Sequence, residues 1–138
     1  MSQYVDGYVL PVPNDKIEEY REMAAEAGKS WIKHGALQYF ECVGDDLNPD
    51  MGEVGLASFP NLVATGPDET VVFAFVVFES REHRDNVNAA VMAEMEKIEG
   101  ADEMEMPFDV GRMAYGGFDA LVEYRAGPSG EEPIGTTG

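Results

Sequence analysis

Two adjacent residues, His83 and Arg84, are the first candidates for chemistry in this sequence. Both fall in the first turn of a helix predicted to begin after Ser80, and Asn88 lies one turn beyond Arg84. The helix dipole disfavours a charged imidazole there, so His83 would be a neutral base, with Arg84 holding an anionic or enolic oxygen. The alternative is that both side chains pair with acidic neighbours and tie the helix to the sheet.

Glu41 is a third catalytic candidate, because strand alternation over 36–43 places this carboxylate among less polar side chains. The residues on its side of the strand are Leu37, Tyr39 and Val43. A buried carboxyl has a raised pKa unless it is paired, and Arg84 or Arg112 would be the partner. A catalytic carboxylate and a buried ion pair are equal alternatives at this stage.

We expect a small apolar pocket between the sheet and the helices, with these polar groups around it. Its ligand-binding side chains would be Trp31, His34, Tyr39, Phe73, Phe75, Asn88 and Tyr115. Trp31 and His34 are three residues apart and so share one face of the first helix. The alternative is that Trp31 belongs to the core and that His34 is a favourable charge at the helix C-terminus.

The sequence carries no signature of a metal or cofactor site. Two His and one Cys at scattered positions offer no set of three or four converging ligands. Cys42 falls on the strand face opposite Glu41, where a thiol is usually inert packing. No dinucleotide fingerprint, phosphate-binding loop or hydrolase nucleophile elbow is present. We therefore expect no metal and no cofactor.

Alternation and capping signals predict the elements that position these residues. Strands are expected over 4–10, 36–43, 71–79 and 113–124, with helices over 15–34 and from Ser80 to Gly100. The strand over 71–79 is apolar on both sides, which requires cover on both faces. The acidic stretch over 44–60 is rich in Gly and Pro, and we expect a long hairpin arm there.

This order of elements is the ferredoxin-like βαββαβ arrangement, an α+β fold with both helices on one face of an antiparallel sheet. The bare face would be apolar and larger than the patch a monomer usually shows, so we expect a homodimer through the sheet face. A chain of 138 residues forms one domain, predicted over 1–126, followed by a flexible tail over 127–138.

The charge of the chain limits which classes of partner it can bind. The chain has 27 acidic and 9 basic residues, a net charge of -18, with 44% hydrophobic residues. The sequence contains too many hydrophobic residues for a disordered chain. Because Lys and Arg are scarce, binding to nucleic acid or to anionic membranes is disfavoured. The acid excess indicates a halophilic cytoplasm, and an acidic mesophile protein is the alternative. The single cysteine and the missing signal peptide and apolar span favour a cytoplasmic protein.

Several motifs occur together in the order of a known family: YVDGYVLPVP, WIKHGALQYFECVGDD, SFP, SREHRDNVNAAVM and MPFDVGRMAYGGF. Over 4–124 the chain resembles the YbaA-like proteins, domain of unknown function 1428. The resemblance implies a dimeric α+β barrel and supplies no activity. The wider superfamily includes cofactor-independent monooxygenases, isomerases, haem enzymes and ligand-binding modules, a guide by analogy alone.

Two kinds of function are consistent with these observations. One is a cofactor-independent enzyme, a monooxygenase or isomerase, acting on an aromatic or enolisable small molecule through His83, Arg84 and Glu41. The other is a module without catalysis that binds a ligand, serves a stress response or has a structural role. A third, RNA association, is disfavoured by the net charge.

Overall fold

A computed structural model describes residues 2–98, 100 and 105–127 of the chain. The strands are β1 (Tyr4–Pro13), β2 (Gln38–Val43), β3 (Glu69–Phe78) and β4 (Ala114–Asp119). The helices are α1 (Ile17–Lys33), α2 (Phe59–Leu62) and α3 (Arg81–Glu96). Short 3-10 turns precede α1 at Asn14–Lys16 and β4 at Val110–Arg112.

The four strands form one antiparallel sheet in the order β2-β3-β1-β4. β3 therefore lies between β1 and β2, the two strands that α1 connects, and α3 leads from β3 to β4 at the opposite edge. This is the split βαβ connectivity of ferredoxin-like proteins. The predicted α+β, ferredoxin-like fold is confirmed.

Local sequence explains where the long helices begin and end. The Ser80 side chain accepts a hydrogen bond from the backbone N–H of His83 at 3.0 Å, which caps the N-terminus of α3. α1 stops before Gly35, whose φ of 117° lies in the region open to glycine. A Cβ at Gly35 would also lie 3.2 Å from Nε2 of His83, so the turn packs closely against α3.

The hydrophobic core lies between the helices and one face of the sheet. One half is formed by Tyr4, Ala36, Val76, Phe78, Val87 and Val91, and the other by Leu10, Val12, Tyr20, Ala24 and Val72. The β3 members of these two halves, Val72, Val76 and Phe78, have even numbers, and the period of a strand is two. The odd-numbered residues of β3 therefore face away from α1 and α3.

That second face, which we call the open face, carries exposed aromatic rings. Phe40, Phe73 and Phe118 are 48%, 41% and 62% exposed. The Phe40 and Phe75 rings stack with centroids 4.9 Å apart, and Phe59 of α2 approaches the Phe73 ring at 6.3 Å. A single chain thus leaves much of this apolar face uncovered.

The hairpin arm predicted between β2 and β3 is wrong. Residues 44–68, all described, form loop segments and the one-turn helix α2, with no strand. Ser58 caps α2 by accepting a hydrogen bond from the Asn61 backbone N–H at 3.2 Å. Pro49 and Pro60 cannot donate to a strand ladder, and the acidic Gly-rich run lacks the alternation that would bury one side of a hairpin.

The end of the chain differs from the prediction in one further respect. β4 ends at Asp119 instead of continuing to Tyr124. The flexible tail was predicted over 127–138, and residues 128–138 lie outside the described residues, so the domain boundary stays a prediction. Throughout the described ranges, none of the helices combines the length and the apolar character needed to span a bilayer.

Candidate functional site

A cavity of about 320 Å³ lies between α1 and the β2 side of the sheet. Its lining consists of Ile17, Tyr20, Arg21, Ala24, Ala25 and Gly28 from α1, with Tyr39, Glu41, Val43 and Val72 from the sheet. Most of these side chains are apolar or aromatic. The volume suits a molecule the size of an aromatic ring with a short substituent.

Glu41 is the acidic group of this cavity. Its Oε1 accepts a hydrogen bond from the Tyr20 hydroxyl at 2.7 Å, and its Oε2 accepts one from the Tyr39 hydroxyl at 2.6 Å. Among the residues that the structure describes, no Lys, Arg or His lies within ion-pair distance of Glu41. We call Tyr20, Tyr39 and Glu41 the Glu41 site.

The two tyrosines remain hydrogen-bond donors over the physiological pH range. Burial raises the pKa of Tyr20 and of Tyr39 above the ordinary value, and the hydrogen bond to Glu41 raises both further. Burial likewise raises the pKa of Tyr8, and the charges of Asp6 and Glu41 raise it further. A carboxylate held by protonated phenols can bind a donor or a cation, or accept a proton.

Strand register explains how Glu41 enters the cavity. Glu41 is opposite Ala74 of β3, Ala74 is opposite Tyr8 of β1, and Tyr8 is opposite Tyr115 of β4. These four residues form one row across the helix-facing side of the sheet. The small side chain of Ala74 leaves space between Glu41 and Tyr8, whose ring stacks on Tyr115 at 4.7 Å.

The prediction that Arg84 or Arg112 pairs with Glu41 is wrong. Arg84 Nη1 lies 2.8 Å from Oδ1 of Asp6, and Arg112 Nη2 lies 2.6 Å from Oε2 of Glu69. Arg84 sits on α3 beside the inner strand β1, whereas Glu41 is on the outer strand β2 beneath α1. The two arginines are thus engaged by other carboxylates.

A second polar cluster lies beneath α3, and we call Asp6, Arg84, Asn88 and Tyr115 the Asp6 network. Asp6 is fully buried and accepts hydrogen bonds from Arg84 at 2.8 Å, Tyr115 at 3.2 Å and Asn88 at 3.4 Å. Burial raises the pKa of the Asp6 carboxyl, and the Arg84 guanidinium opposes that rise. Because the polar groups of this cluster hydrogen-bond to one another, the cluster connects α3 to the sheet.

Sequence reasoning did not select Asp6, Tyr8 or Tyr20, although part of the signal was present. Alternation in β1 places Asp6 on the same side as Tyr4 and Tyr8. A carboxylate on an aromatic strand face requires a buried hydrogen-bond or ion-pair partner, and this requirement could have identified Asp6. No comparable local signal brings Tyr20 of α1 to Glu41 of β2, because that contact depends on how the helix packs.

Of the predicted ligand-binding residues Trp31, Tyr39, Asn88 and Tyr115, Tyr39 lines the cavity, whereas Asn88 and Tyr115 belong to the Asp6 network. The Trp31 indole N–H donates to Oδ1 of Asn88 at 3.0 Å, and the indole ring lies 6.0 Å from the Tyr39 ring. Trp31 therefore connects the Asp6 network to the Glu41 site through the core, as the core alternative for this residue supposed.

His83 does not join Arg84 or Glu41 in one site. Its Nδ1 accepts a hydrogen bond from the Glu79 backbone N–H at 2.9 Å, and the centroids of its ring and the Phe78 ring are 6.0 Å apart in a T-shaped arrangement. Across the described part of the chain, no hydrogen bond or ion pair joins His83 to Arg84 or Glu41. Its role in the structure is to secure the turn between β3 and α3.

His34 lies away from the cavity, in a surface cluster between α1 and α3. Its Nε2 is 2.7 Å from Oε2 of Glu94, which also accepts hydrogen bonds from Lys33 and Ser30. Hydrogen bonds from Lys33, His34 and Ser30 lower the pKa of Glu94 to about 2. The place of His34 at the end of α1 turns it toward α3 and outside the cavity lining, so its ligand-binding role stays a prediction.

The prediction that Phe73 and Phe75 line a pocket with Tyr39 is also wrong. Tyr39 is opposite Val76 of β3, so it shares the helix-facing side with Val76. Phe73 and Phe75 point to the open face, where Phe75 stacks on Phe40. Cys42 is exposed on the same face, opposite Phe73 in the register.

Within the described residues, no group of three or more His, Cys, Asp or Glu side chains is arranged to hold a metal ion. The acidic residues closest to the cavity illustrate why. Glu41 is in register with Ala74 and Asp6 with Val76, on different strands, and the two carboxylates are engaged by separate partners.

Comparisons with known proteins agree with the fold and leave the activity open. The chain is 40% identical over 121 residues to the uncharacterised protein YbaA of Escherichia coli K12, covering 88% of this chain and 98% of that protein. YbaA of Shigella flexneri matches to the same extent. A crystal structure of a dimeric ferredoxin-like protein from an uncultured marine organism superposes with a TM-score of 0.59 and 7% identity, covering 89% and 99% of the two chains.

The family model described as protein of unknown function (DUF1428) matches residues 3–110. That match covers most of the chain and includes both the Glu41 site and Asp6. Together with the 40% identity to YbaA over nearly its whole length, it shows that this chain belongs to the DUF1428 family.

Proposed function

We propose that this protein binds a small, largely apolar molecule in the cavity between α1 and β2, with Glu41 as its main polar contact. The observation that carries the proposal is a cavity of about 320 Å³ with one carboxylate held by two phenols. Apolar walls contribute affinity through burial, and a small number of fixed polar groups set the orientation of a ligand.

The neighbouring Asp6 network provides a contrast. Asp6 is completely buried and its oxygens are shared among three donors, so it offers little to a ligand. Glu41 is partly exposed and faces a space lined by α1. Of the two acidic clusters on the helix-facing side, the Glu41 site is therefore the better binding site.

Catalysis without a cofactor in this cavity would use Glu41 as the base. His83 and Arg84, which the sequence suggested as catalytic residues, are engaged at α3 by Glu79 and Asp6. A binding module is therefore the function we propose, and an enzymatic step remains a prediction from the sequence.

The net charge of -18 supports a small-molecule ligand over nucleic acid and favours a salt-rich cytoplasm.

We also infer that two copies of the chain associate through their open faces. The exposed rings of Phe40, Phe73 and Phe118 support this assembly, since burying them removes apolar area from water. The similar fold from the uncultured marine organism is described as dimeric. The cavity lies on the other side of the sheet, so dimerisation would leave it accessible.

The binding proposal is tested by two-dimensional NMR of the labelled protein titrated with 2-phenylethanol, a single ring with a short polar arm. Shifts concentrated on Tyr39, Glu41 and the α1 residues of the cavity are expected. Ala25→Phe places a ring at the exposed edge of the cavity and should abolish them. Ala89→Phe makes the same change on an exposed position of α3 and should not. Binding that Ala25→Phe leaves intact would contradict the proposal.

A further inference from the structure

We propose that the ligand of this cavity is a cation, a protonated amine or another organic ammonium on an apolar body, with its positive group against Glu41. This inference rests on the proposed binding function and specifies the ligand class. It follows from a comparison of Glu41 with three other carboxylates of the chain, each of which has a basic partner.

Three other carboxylates of the chain accept several hydrogen bonds, and each of them lies within ion-pair distance of a Lys or Arg side chain. Asp6 has Arg84 at 2.8 Å, Glu69 has Arg112 at 2.6 Å, and Glu94 has Lys33 at 2.9 Å. Glu41 has only the two neutral phenols among the described residues. A partly buried carboxylate without a cation keeps an uncompensated charge, which a bound ammonium would balance.

The two phenols leave acceptor capacity on Glu41. A carboxylate has about four lone-pair sites, and Tyr20 and Tyr39 use one on each oxygen. The remaining sites can accept hydrogen bonds from an ammonium group. The same arrangement repels a carboxylate or phosphate ligand, because the charge of Glu41 has the same sign.

Arg21 is the basic side chain in the described lining of the cavity. It is directed toward Glu18, with its Nε 3.1 Å from Oε2, and its side chain is 69% exposed. It therefore lies at the solvent edge and is engaged by another carboxylate. A ligand cation would not have to displace it from Glu41.

The walls of the cavity suit the apolar part of such a ligand. Ile17, Ala24 and Val72 are aliphatic, and the rings of Tyr20 and Tyr39 contribute aromatic surface. Aromatic faces attract ammonium groups as well as apolar ones. A ring joined to an amine by a short arm combines both requirements within the available volume.

The test compares three probes that share one ring and a short arm: phenethylamine, 2-phenylethanol and 3-phenylpropionate. Calorimetric or NMR titration of the full chain at pH 7 should show phenethylamine binding about tenfold more tightly than the alcohol, as charge-assisted hydrogen bonds predict. The phenylpropionate should bind most weakly. This comparison uses the unmodified protein and needs no variant to fold.

Variants then assign the preference to Glu41. Glu41→Gln should weaken phenethylamine binding about tenfold and 2-phenylethanol binding by a smaller factor, because the alcohol can still donate to the amide oxygen while the ammonium loses its opposite charge. Glu22→Gln makes the same change in net charge on an exposed position of α1 and should leave both affinities unchanged. Loss of the amine preference in both variants would assign it to the general field of the protein and overturn the role of Glu41.

Other outcomes separate this inference from the binding proposal. Equal affinities for all three probes, abolished by Ala25→Phe, would overturn the cation preference and leave a binding cavity. Binding of none of the probes, or binding that Ala25→Phe does not alter, would overturn both.

Discussion

Arg84 of α3 donates a hydrogen bond from Nη1 to Oδ1 of Asp6 in β1 at 2.8 Å, on the helix-facing side of the sheet. The Asp6 side chain is completely buried and that of Arg84 is 13% exposed. A charge so enclosed requires its partner, because water cannot replace it. The pair therefore stabilises the packing of α3 on the sheet, whereas Glu41, which has no such partner among the described residues, is available for binding.

The first prediction concerns this ion pair. Arg84→Met should lower the free energy of unfolding by ~3–5 kcal/mol, because it leaves the Asp6 carboxylate buried without a cation. Urea unfolding followed by circular dichroism measures the change. Arg21→Met is the matched control, since Arg21 forms an exposed pair with Glu18 and should cost ~1 kcal/mol or less.

Combining the two substitutions sharpens the same test. Asp6→Asn with Arg84→Met removes both charges, so the double variant should lose less stability than the sum of the single losses. Additive losses would show that Asp6 and Arg84 are not coupled and would contradict the structural role given to the network.

The second prediction concerns pH. Hydrogen bonds from Arg112, and then from the Gly66 backbone N–H, lower the pKa of Glu69 to about 2 from its ordinary 4.5. A carboxyl with a lowered folded pKa contributes stability above its ordinary value, and that contribution is lost as pH falls toward the folded value. The stability advantage of the native protein over Glu69→Gln should therefore be full at pH 6 and shrink between about pH 4.5 and about 2.

Unfolding by urea at a series of pH values measures this difference. The same series in an Arg112→Met background should show a much smaller effect of Glu69→Gln, because the stabilising partner is already missing. A difference between native protein and Glu69→Gln that stays constant as the pH falls would count against the pair.

The third prediction concerns the open face. Phe40→Asp puts a charge among the stacked rings of Phe40 and Phe75, so the protein should become monomeric. Light scattering should change from twice the 15.1 kDa chain mass to that mass. Met92→Asp, at an exposed apolar position of α3, should remain dimeric. A native protein that is monomeric at high concentration would rule out the dimer.

The fourth prediction concerns salt. With a net charge of -18, repulsion among surface carboxylates opposes the compact state, and added ions screen it. The thermal midpoint of unfolding should therefore rise steadily with KCl concentration. A midpoint that is independent of KCl, or falls with it, would be inconsistent with a surface adapted to a salt-rich cytoplasm.

Element types and their order were predictable from short-range patterns. Ser80 marks the start of α3 and Gly35 follows the end of α1, because a cap and a left-handed glycine are local requirements. Alternation found the strands, and the order of elements then fixed the ferredoxin-like connectivity. The loop between β2 and β3 was predicted to be a hairpin. Its composition indicates an irregular segment but does not determine the path that the backbone takes.

Side-chain partners were harder to predict, for a physical reason. β3 is apolar on both sides, so alternation separates Phe73 and Phe75 from Val76 without showing which set faces the helices. Packing decides this, because Val76 joins Val87 of α3 in the core, and Tyr39, which is opposite Val76, shares that side. The Tyr20 hydroxyl reaches Glu41 only through the packing of α1, which is a long-range property of the fold.

The position of a bound ligand decides between the cavity and the open face as the binding site. Isotope-filtered NOE spectra of the labelled protein with phenethylamine report which protons lie within a few ångströms of the probe. We expect contacts from the probe to the rings of Tyr20 and Tyr39 and to the methyls of Val43. Contacts confined to the open-face rings of Phe40, Phe73 and Phe118, or no contacts at all, would contradict it.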